Sequence, residues 1–393
     1  MDAEKLVRGI TYPLNYNRPL TNGADMTQSS RRNFLKTSAA GAVAVTGASG
    51  AAVGSVQAQS MALKSAIEAR ADEISSKLFV DDGLVIPIAT KPTVSTLAKG
   101  LDRTLVLGGG GEYYIAWYCG FLHGLFEAGL NMAQLPEMVV GTSAGSYVGS
   151  SLMSGEFNRL RTEFDFFGKF PEILAKIAPV AKPNISQLRA AQINMSATDG
   201  SIATRKVIGH AALAASNKLN GERLERLAAL LTGDSKTDWP TNRMYTTGID
   251  CYTGERIVVG QQTARKNGIA LAHGAAASSS LPGVAGPTLL GQRYVMDGGI
   301  CSNPAHVDLV AGSKRALVIT LTDGVTGAIL TTIPHPIAQN IEDIKATGTK
   351  VKWVVAGTPK GVDLLDPKQI AGALRTGYER AKTEAPQIKE FWA

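Results

Sequence analysis

A strand-like apolar run that leads through a glycine turn into a helical segment occurs twice in close succession in this chain. The two units comprise residues 104–107, 108–111 and 117–128, and then residues 137–140, 141–145 and 146–153. Strands that alternate with helices favour a parallel sheet. Between two parallel strands the chain has to run back along one face of the sheet, and a helix makes that connection. The repeat therefore predicts an α/β protein with a mainly parallel central sheet.

Further strand-like runs and helical segments follow this pair of units. Strands are predicted at 244–249, 256–259, 293–296 and 316–321, mostly helical sequence at 155–240, and a surface helix at 370–392. Residues 101–393 are expected to form one domain. Residues 59–100 are expected to be an N-terminal helical extension, with a helix at 61–79.

The composition excludes several classes of protein. A net charge of +7 on 393 residues is too mild to indicate nucleic-acid binding. Three scattered cysteines support neither a disulfide framework nor a metal site, and no cofactor motif is present. A pairing of Cys251 with Cys301 remains an open alternative. An ordinary enzyme or binding domain is left.

The N-terminal 58 residues resemble an export signal. Arg31 and Arg32 precede an uncharged segment at 37–56, and a small residue, Ala58, stands at a possible cleavage site. The arrangement resembles twin-arginine signals, which are addresses for an export machinery. Gly, Ser and Thr dilute the segment too much for a membrane anchor. We expect export to the periplasm or the medium, and we expect the true start at Met26.

Residues 141–145 form the sequence Gly-Thr-Ser-Ala-Gly, between a predicted strand and a predicted helix. This is the setting of a nucleophile elbow, in which a sharp turn exposes the serine at a helix N-terminus. Gly141 and Gly145 leave room for the turn. The pattern predicts that Ser143 is a nucleophile, although a glycine-rich turn without chemistry is the alternative.

The glycine run at 108–111 also lies between a strand and a helix. Successive glycine N–H groups can hold either a phosphate or an oxyanion. The spacing matches neither the dinucleotide-binding fingerprint nor the P-loop. We therefore predict that Gly109, Gly110 and Gly111 form an oxyanion hole that faces Ser143.

A serine nucleophile needs a base, and Asp297 is the outstanding acid after Ser143 because it ends an apolar strand before two glycines. A turn aspartate that bonds only its own backbone is the alternative. His306 or His335 can still complete a Ser-Asp-His order from the sequence alone.

Four blocks follow one another in the chain. They are the glycine run, residues 141–145, residues 277–283 (Ala-Ser-Ser-Ser-Leu-Pro-Gly), and Asp297-Gly298-Gly299 followed by Asn303-Pro304. These blocks in this order resemble the patatin-like phospholipase family. The resemblance covers about residues 101–310. It implies a three-layer α/β/α fold and a Ser-Asp dyad without histidine, with Ser143 as nucleophile, Asp297 as base and the glycine-run amides as oxyanion hole. It implies hydrolysis of lipid esters, with a lipid or another acyl ester as substrate and transient contact with a membrane surface.

The chain departs from the family pattern after the glycine run. The family has a small residue, a basic residue and a glycine there, whereas this chain has Glu112, Tyr113 and Tyr114. The departure favours an ester hydrolase over a phospholipase, since an acid at Glu112 repels an anionic phosphate. A non-catalytic lipid-binding protein on the same scaffold, or a Ser-Asp-His esterase, are the alternatives.

Two aromatic groups allow two interpretations each. The segment 164–170 is expected to be helix core more than an interfacial lid. Tyr113, Tyr114, Trp117 and Tyr118 line an acyl pocket or pack the first helix, and the sequence does not distinguish these.

Overall fold

The computed structural model describes residues 81–89, 91, 93–178, 183–233, 238–324 and 337–393. They belong to one compact unit that extends from Asp81 to Ala393. The expected export signal at 1–58, the expected helix at 61–79 and His335 lie outside the described residues.

Within the described part of the chain, eight strands form one sheet. They are β1 (Arg103–Leu107), β2 (Met138–Gly141), β3 (Met244–Asp250), β4 (Arg256–Val259), β5 (Thr288–Leu290), β6 (Arg293–Asp297), β7 (Arg315–Thr320) and β8 (Lys350–Val355). The helices of the same residues are α1 (Gly111–Glu127), α2 (Ala144–Ser154), α3 (Phe157–Lys169), α4 (Pro171–Ile177), α5 (Ile185–Met195), α6 (Ile202–Ala214), α7 (Lys218–Leu231), α8 (Gln261–Asn267), α9 (Leu271–Ser278), α10 (Ile337–Lys345) and α11 (Ile370–Trp392).

The sheet has the order β5-β6-β3-β2-β1-β7-β8, and β4 also pairs with β3. All pairs from β3 to β8 along this order are parallel, whereas β4, β5 and β6 join by antiparallel pairing. The predicted α/β fold with a mainly parallel sheet is confirmed. Strands β5 and β8 were not predicted. The first has only three residues, and the second carries Lys350 and Lys352 at the sheet edge instead of an apolar run.

The central strand β1 shows that the sheet has helices on both faces. Leu105 and Leu107 belong to the core cluster that contains α1, α2 and α11, whereas Val106 belongs to a second cluster with α10. Successive side chains of a strand point to opposite faces, so two separate cores require a layer of helices on each side. This is the expected three-layer α/β/α arrangement.

Helix α1 begins earlier than the sequence predicts. A helix was expected from Trp117, but it starts at Gly111, directly in the glycine run. The turn from Tyr113 to Ala116 is buried all around, so no alternation of polar and apolar residues marks it in the sequence.

The predicted C-terminal helix is confirmed as α11, but it is more than a surface helix. It packs along α1, and methyl groups on Gly120 and Gly377 would overlap backbone atoms of the opposite helix. Glycine at both positions lets the two backbones approach closely. None of the described helices combines the length and the apolar character that crossing a bilayer requires.

Candidate active site

Ser143 occupies a strained turn between β2 and α2. Its backbone has φ 51° and ψ −118°, a conformation that costs a non-glycine residue about 1–3 kcal/mol. A methyl group on Gly145 would overlap the carbonyl oxygen of Leu107, and one on Gly141 would lie 2.5 Å from the Gly145 oxygen. The two predicted glycines are therefore needed for the turn that presents Ser143.

Three hydrogen bonds that involve side chains help to hold this turn. The N–H of Ser143 donates to Ser278 Oγ at 2.9 Å, and Ser146 Oγ donates to the Ser143 carbonyl at 2.6 Å. The hydroxyl of Thr142 lies 2.8 Å from that of Thr247 on β3. Ser278 belongs to the family block at residues 277–283, and the sequence did not indicate that this block supports the turn at Ser143.

The glycine run lies beside the serine. A methyl group on Gly109 would come within 2.9 Å of Ser143 Cβ, and one on Gly110 within 2.8 Å of Tyr114 Cβ. The N–H groups of Gly109 and Gly110 donate no hydrogen bond to any described residue. Because α1 begins at Gly111, unpaired N–H groups and the positive end of a helix dipole meet next to Ser143.

Asp297 ends β6 and lies on the wall of the same cavity as Ser143. Burial raises its pKa to about 6, while the Gly299 N–H, which donates to Asp297 Oδ1 at 2.8 Å, and the Ser143 side chain lower it. The antiparallel pairing of β6 with β3 places Asp297 opposite Gly248, next to the strand residue that bonds Thr142. The structure thus brings the two sequence-predicted residues together.

The cavity above Ser143 is narrow and mostly apolar. Its polar lining consists of Glu112, Ser143, Tyr147, Ser279 and Asp297. Its apolar wall includes Phe164, Leu174, Leu224, Leu227, Leu231 and Leu281. An apolar chamber with a few convergent polar groups suits an acyl chain that ends in an ester.

Glu112, Tyr147 and Ser279 are polar residues of this cavity that the sequence analysis did not name as site residues. Burial raises the pKa of Glu112 to about 7 and raises that of Tyr147 well above its usual value. Tyr147 follows Ser143 by four residues on α2, so helix spacing was a usable signal for it. Helix spacing offered no such signal for Glu112, because the sequence analysis started α1 too late.

His306 does not join Ser143. Its Nε2 lies 2.8 Å from the carbonyl oxygen of Gly298, and its Nδ1 lies 3.4 Å from the Arg256 guanidinium. Burial, with Arg256, lowers its pKa to about 3, so the ring is neutral. His306 supports the turn after Asp297 and does not line the cavity, which leaves the histidine alternative without support from this residue.

The aromatic residues of α1 and those of the segment 164–170 differ in how far they are buried. None of Tyr113, Tyr114, Trp117 and Tyr118 lines the cavity; all four pack α1 into the core. In the segment 164–170, Phe164 and Phe167 are buried, whereas Phe166 and Phe170 are each 44% exposed. The core interpretation thus holds for half of that segment.

The sequence analysis also considered a pairing of Cys251 with Cys301 and a metal site. Cys251 and Cys301 are buried free thiols in one small core cluster. The described residues contain no group of three His, Cys, Asp or Glu side chains that is suited to hold a metal ion.

Three comparisons with known proteins bear on this site. The chain matches the family model of patatin-like phospholipases over residues 105–309. A search of curated proteins found no significant match. The crystal structure of VipD from Legionella pneumophila is similar at 12% identity and a TM-score of 0.37, covering 77% of this chain and 71% of VipD. The family match covers more than half of the chain and spans the glycine run, the serine elbow and Asp297, and the chain belongs to the patatin-like phospholipase family of lipid acyl hydrolases.

Proposed function

We propose that this protein is a serine hydrolase that cleaves carboxylic esters of lipid-like substrates with Ser143 as nucleophile and Asp297 as base. The observation that carries the proposal is the meeting of these two residues in one cavity. Ser143 stands in a strained elbow, and its side chain interacts with a carboxyl group whose pKa burial raises to about 6. A carboxylate with a raised pKa is a stronger base than an exposed one.

The reaction has two halves. Ser143 Oγ attacks the ester carbonyl carbon while Asp297 takes the hydroxyl proton, and the tetrahedral intermediate then expels the alcohol, which receives that proton. Water next attacks the acyl-enzyme while Asp297 takes one of its protons. Collapse of the second intermediate releases the carboxylic acid and returns the proton to Ser143.

The glycine run supplies the proposed oxyanion hole. The N–H groups of Gly109 and Gly110 have no described partner, and Gly109 lies against Ser143. With the N–H of Gly111 at the start of α1, they are available to an oxygen that becomes negative in the transition state. A single donor of this kind contributes about 10²–10³ to the rate in other hydrolases.

The apolar wall supplies the proposed acyl site. Leu224, Leu227 and Leu231 stand on one helix, α7, and form a continuous hydrocarbon surface in the cavity. Such a surface binds an acyl chain by removing it from water, at about 0.8 kcal/mol per methylene group. The substrate is therefore a lipid or a lipid-like acyl ester.

The N-terminal sequence also supports a proposal for where the protein acts in the cell. We propose that the twin-arginine signal at 1–58 directs export. Replacing both Arg31 and Arg32 with Lys is expected to retain the precursor in the cytoplasm, as fractionation of the native host would measure. Unchanged export of that variant would contradict the proposal.

A fluorophosphonate probe tests the hydrolase proposal directly, because its reaction needs both an activated serine and an oxyanion hole. We expect labelling on the peptide that carries Ser143, no labelling of Ser143→Ala, and labelling of Asp297→Asn slowed by about 10² or more. Ser279→Ala is the matched control, since Ser279 lines the same cavity and is expected to leave Ser143 labelled.

The lipid-binding alternative predicts a different result. Folded wild-type protein would then resist the probe and leave lipid esters intact on long incubation. That outcome would overturn the hydrolase proposal, whereas labelling that persists fully in Asp297→Asn would overturn only the role of Asp297.

A further inference from the structure

Glu112 is a carboxyl group in the active-site cavity that the proposed reaction does not use. It stands in the first turn of α1, directly after the glycine run, and lines the cavity together with Ser143 and Asp297. Its Oε2 is shielded from solvent and has no hydrogen-bond partner in the described structure. A shielded oxygen without a partner leaves an unsatisfied polar group where a substrate binds.

The charges around Glu112 all have one sign. Asp297 faces the same cavity from the end of β6, and Asp363 acts on Glu112 from the segment before α11. Tyr147 on α2 lines the same cavity, and the negative charges of both Glu112 and Asp297 act on its hydroxyl. Among the described residues that line the cavity there is no Lys, Arg or His.

This arrangement determines what the alcohol part of the substrate can carry. Glu112 directly follows the glycines whose amides are proposed to bind the carbonyl oxygen, so it enters the cavity from the same turn as the proposed oxyanion hole. An anionic head group would meet two carboxyl groups in an apolar, poorly screened space. A neutral or cationic alcohol brings no such repulsion, and a donor group on it would satisfy the Glu112 oxygen.

We propose, building on the hydrolase function above, that Glu112 is a specificity-determining residue that restricts the enzyme to esters whose leaving alcohol carries no negative charge. The acyl chain is then selected by the leucine wall and the alcohol by Glu112. This differs from hydrolysis of anionic phospholipids, which calls for a cation near the head group.

The selection depends on pH, because only the ionised carboxylate repels an anion. Burial, opposed by a bond to its own N–H and reinforced by Asp363, raises the pKa of Glu112 to about 7. Glu112 is therefore mostly neutral at pH 6 and mostly charged at pH 8.5. Only enzyme with an ionised Asp297 hydrolyses any ester, so Asp297 repels the anionic ester equally at both pH values. A ratio between two esters therefore isolates Glu112.

Three butyrate esters with matched alcohols test the proposal. They are butyrylcholine, its neutral carbon isostere 3,3-dimethylbutyl butyrate, and the butyrate ester of 2-hydroxyethanesulfonate, whose sulfonate keeps one negative charge at both pH values. The measurement is kcat/KM for each ester at pH 6 and pH 8.5. The proteins are the wild type, Glu112→Gln, and Glu127→Gln, which removes an exposed acid at the far end of the same helix.

In the wild type, the ratio of neutral to anionic ester turnover is expected to rise about tenfold or more between pH 6 and pH 8.5. Glu112→Gln is expected to remove that rise and to lower the ratio at pH 8.5 about tenfold. Glu127→Gln is expected to behave as the wild type. The cationic ester is expected to be hydrolysed at least as well as the neutral one at pH 8.5.

Different failures have different meanings. If no ester is hydrolysed, the hydrolase proposal falls and this inference with it. If the neutral ester is hydrolysed but the ratio is unchanged in Glu112→Gln, or changes equally in Glu127→Gln, only the role of Glu112 is overturned. Should Glu112→Gln fail to fold, a wild-type ratio that is flat with pH is sufficient to overturn it.

Discussion

Ser278 holds the backbone of Ser143. Its hydroxyl accepts a 2.9 Å hydrogen bond from the Ser143 N–H, although the two residues belong to different helix–strand units of the fold. Ser278 is the last residue of α9, which packs beside α2. A residue in a strained conformation stays there only if its surroundings hold it, and Ser278 is one of those restraints.

Ser278→Ala is therefore expected to impair both stability and turnover. It leaves the buried Ser143 N–H without a partner, which costs about 1–3 kcal/mol of unfolding free energy. The loosened elbow is expected to lower kcat about tenfold with less change in KM. Chemical denaturation and ester kinetics measure the two effects, and Ser279→Ala is the comparison. Equal behaviour of the two variants would contradict the assignment.

The turn glycines are expected to be intolerant of any side chain. Gly145→Ala forces a methyl group onto the Leu107 carbonyl, so we expect loss of at least several kcal/mol of stability or failure to fold. Gly372→Ala in α11 is the matched control, since its methyl group would meet no atom within 4 Å. Gly372→Ala is expected to keep the wild-type stability or to raise it by up to about 1 kcal/mol. Thermal melts compare them, and a stable Gly145→Ala protein would refute the steric argument.

The pH dependence of hydrolysis is expected to report Asp297. A base works only when deprotonated, and burial raises the pKa of Asp297 to about 6. For a neutral ester, kcat/KM should therefore rise with pH, reach half of its maximum near pH 6, and fall about tenfold per pH unit below. The same rise of kcat/KM around pH 6 is expected in Glu112→Gln. A profile that is flat from pH 5 to pH 7 would exclude Asp297 as the base.

The same buried carboxyl group is expected to reduce stability. Burial raises the pKa of Asp297 to about 6 in the folded protein, above its value of about 3.9 in an unfolded chain. The neutral carboxyl group therefore adds no cost below about pH 4, and stability is lost as the pH rises through 6. Asp297→Asn should match the wild type near pH 4 and exceed it by about 2–3 kcal/mol at pH 7. Denaturation at both pH values measures this. A variant that is less stable than the wild type at pH 7 would contradict the expected burial cost.

His306→Ala separates a supporting histidine from a catalytic one. His306 is fully buried and lies 2.8 Å from the Gly298 oxygen, so its removal is expected to cost about 2–4 kcal/mol of stability. Fluorophosphonate labelling of the folded variant is expected to stay within a few-fold of the wild type. A loss of labelling by 10³ or more in folded protein would restore the histidine alternative.

Much of the site was predictable because local patterns encode it. Apolar runs, glycine turns and helical spacing follow from the residues themselves, and they placed Ser143 at a strand-to-helix turn and Asp297 at a strand end. The glycine run was predictable for the same reason, since several small residues in a row leave backbone N–H groups accessible. The order of these elements also indicated the α/β class and the family.

Local patterns did not predict features that depend on packing between distant segments. The edge strand β8 and the first turn of α1 were missed, because the strand lacks an apolar run and the turn lacks a polar face. The contacts of the His306 ring could not be predicted from the sequence either, because its partners Arg256 and Gly298 lie at the ends of two different strands.

The sequence by itself determined which groups are available: a serine in a tight turn, an acid before two glycines, and an acid directly after the glycine run. Only the tertiary structure decided that Ser143, Asp297 and Glu112 line one apolar cavity. The physical reason is that the acidity of a carboxyl group depends on how much water and which charges surround it. These are properties of the packed chain, and they raise the pKa values of Asp297 and Glu112 to about 6 and about 7.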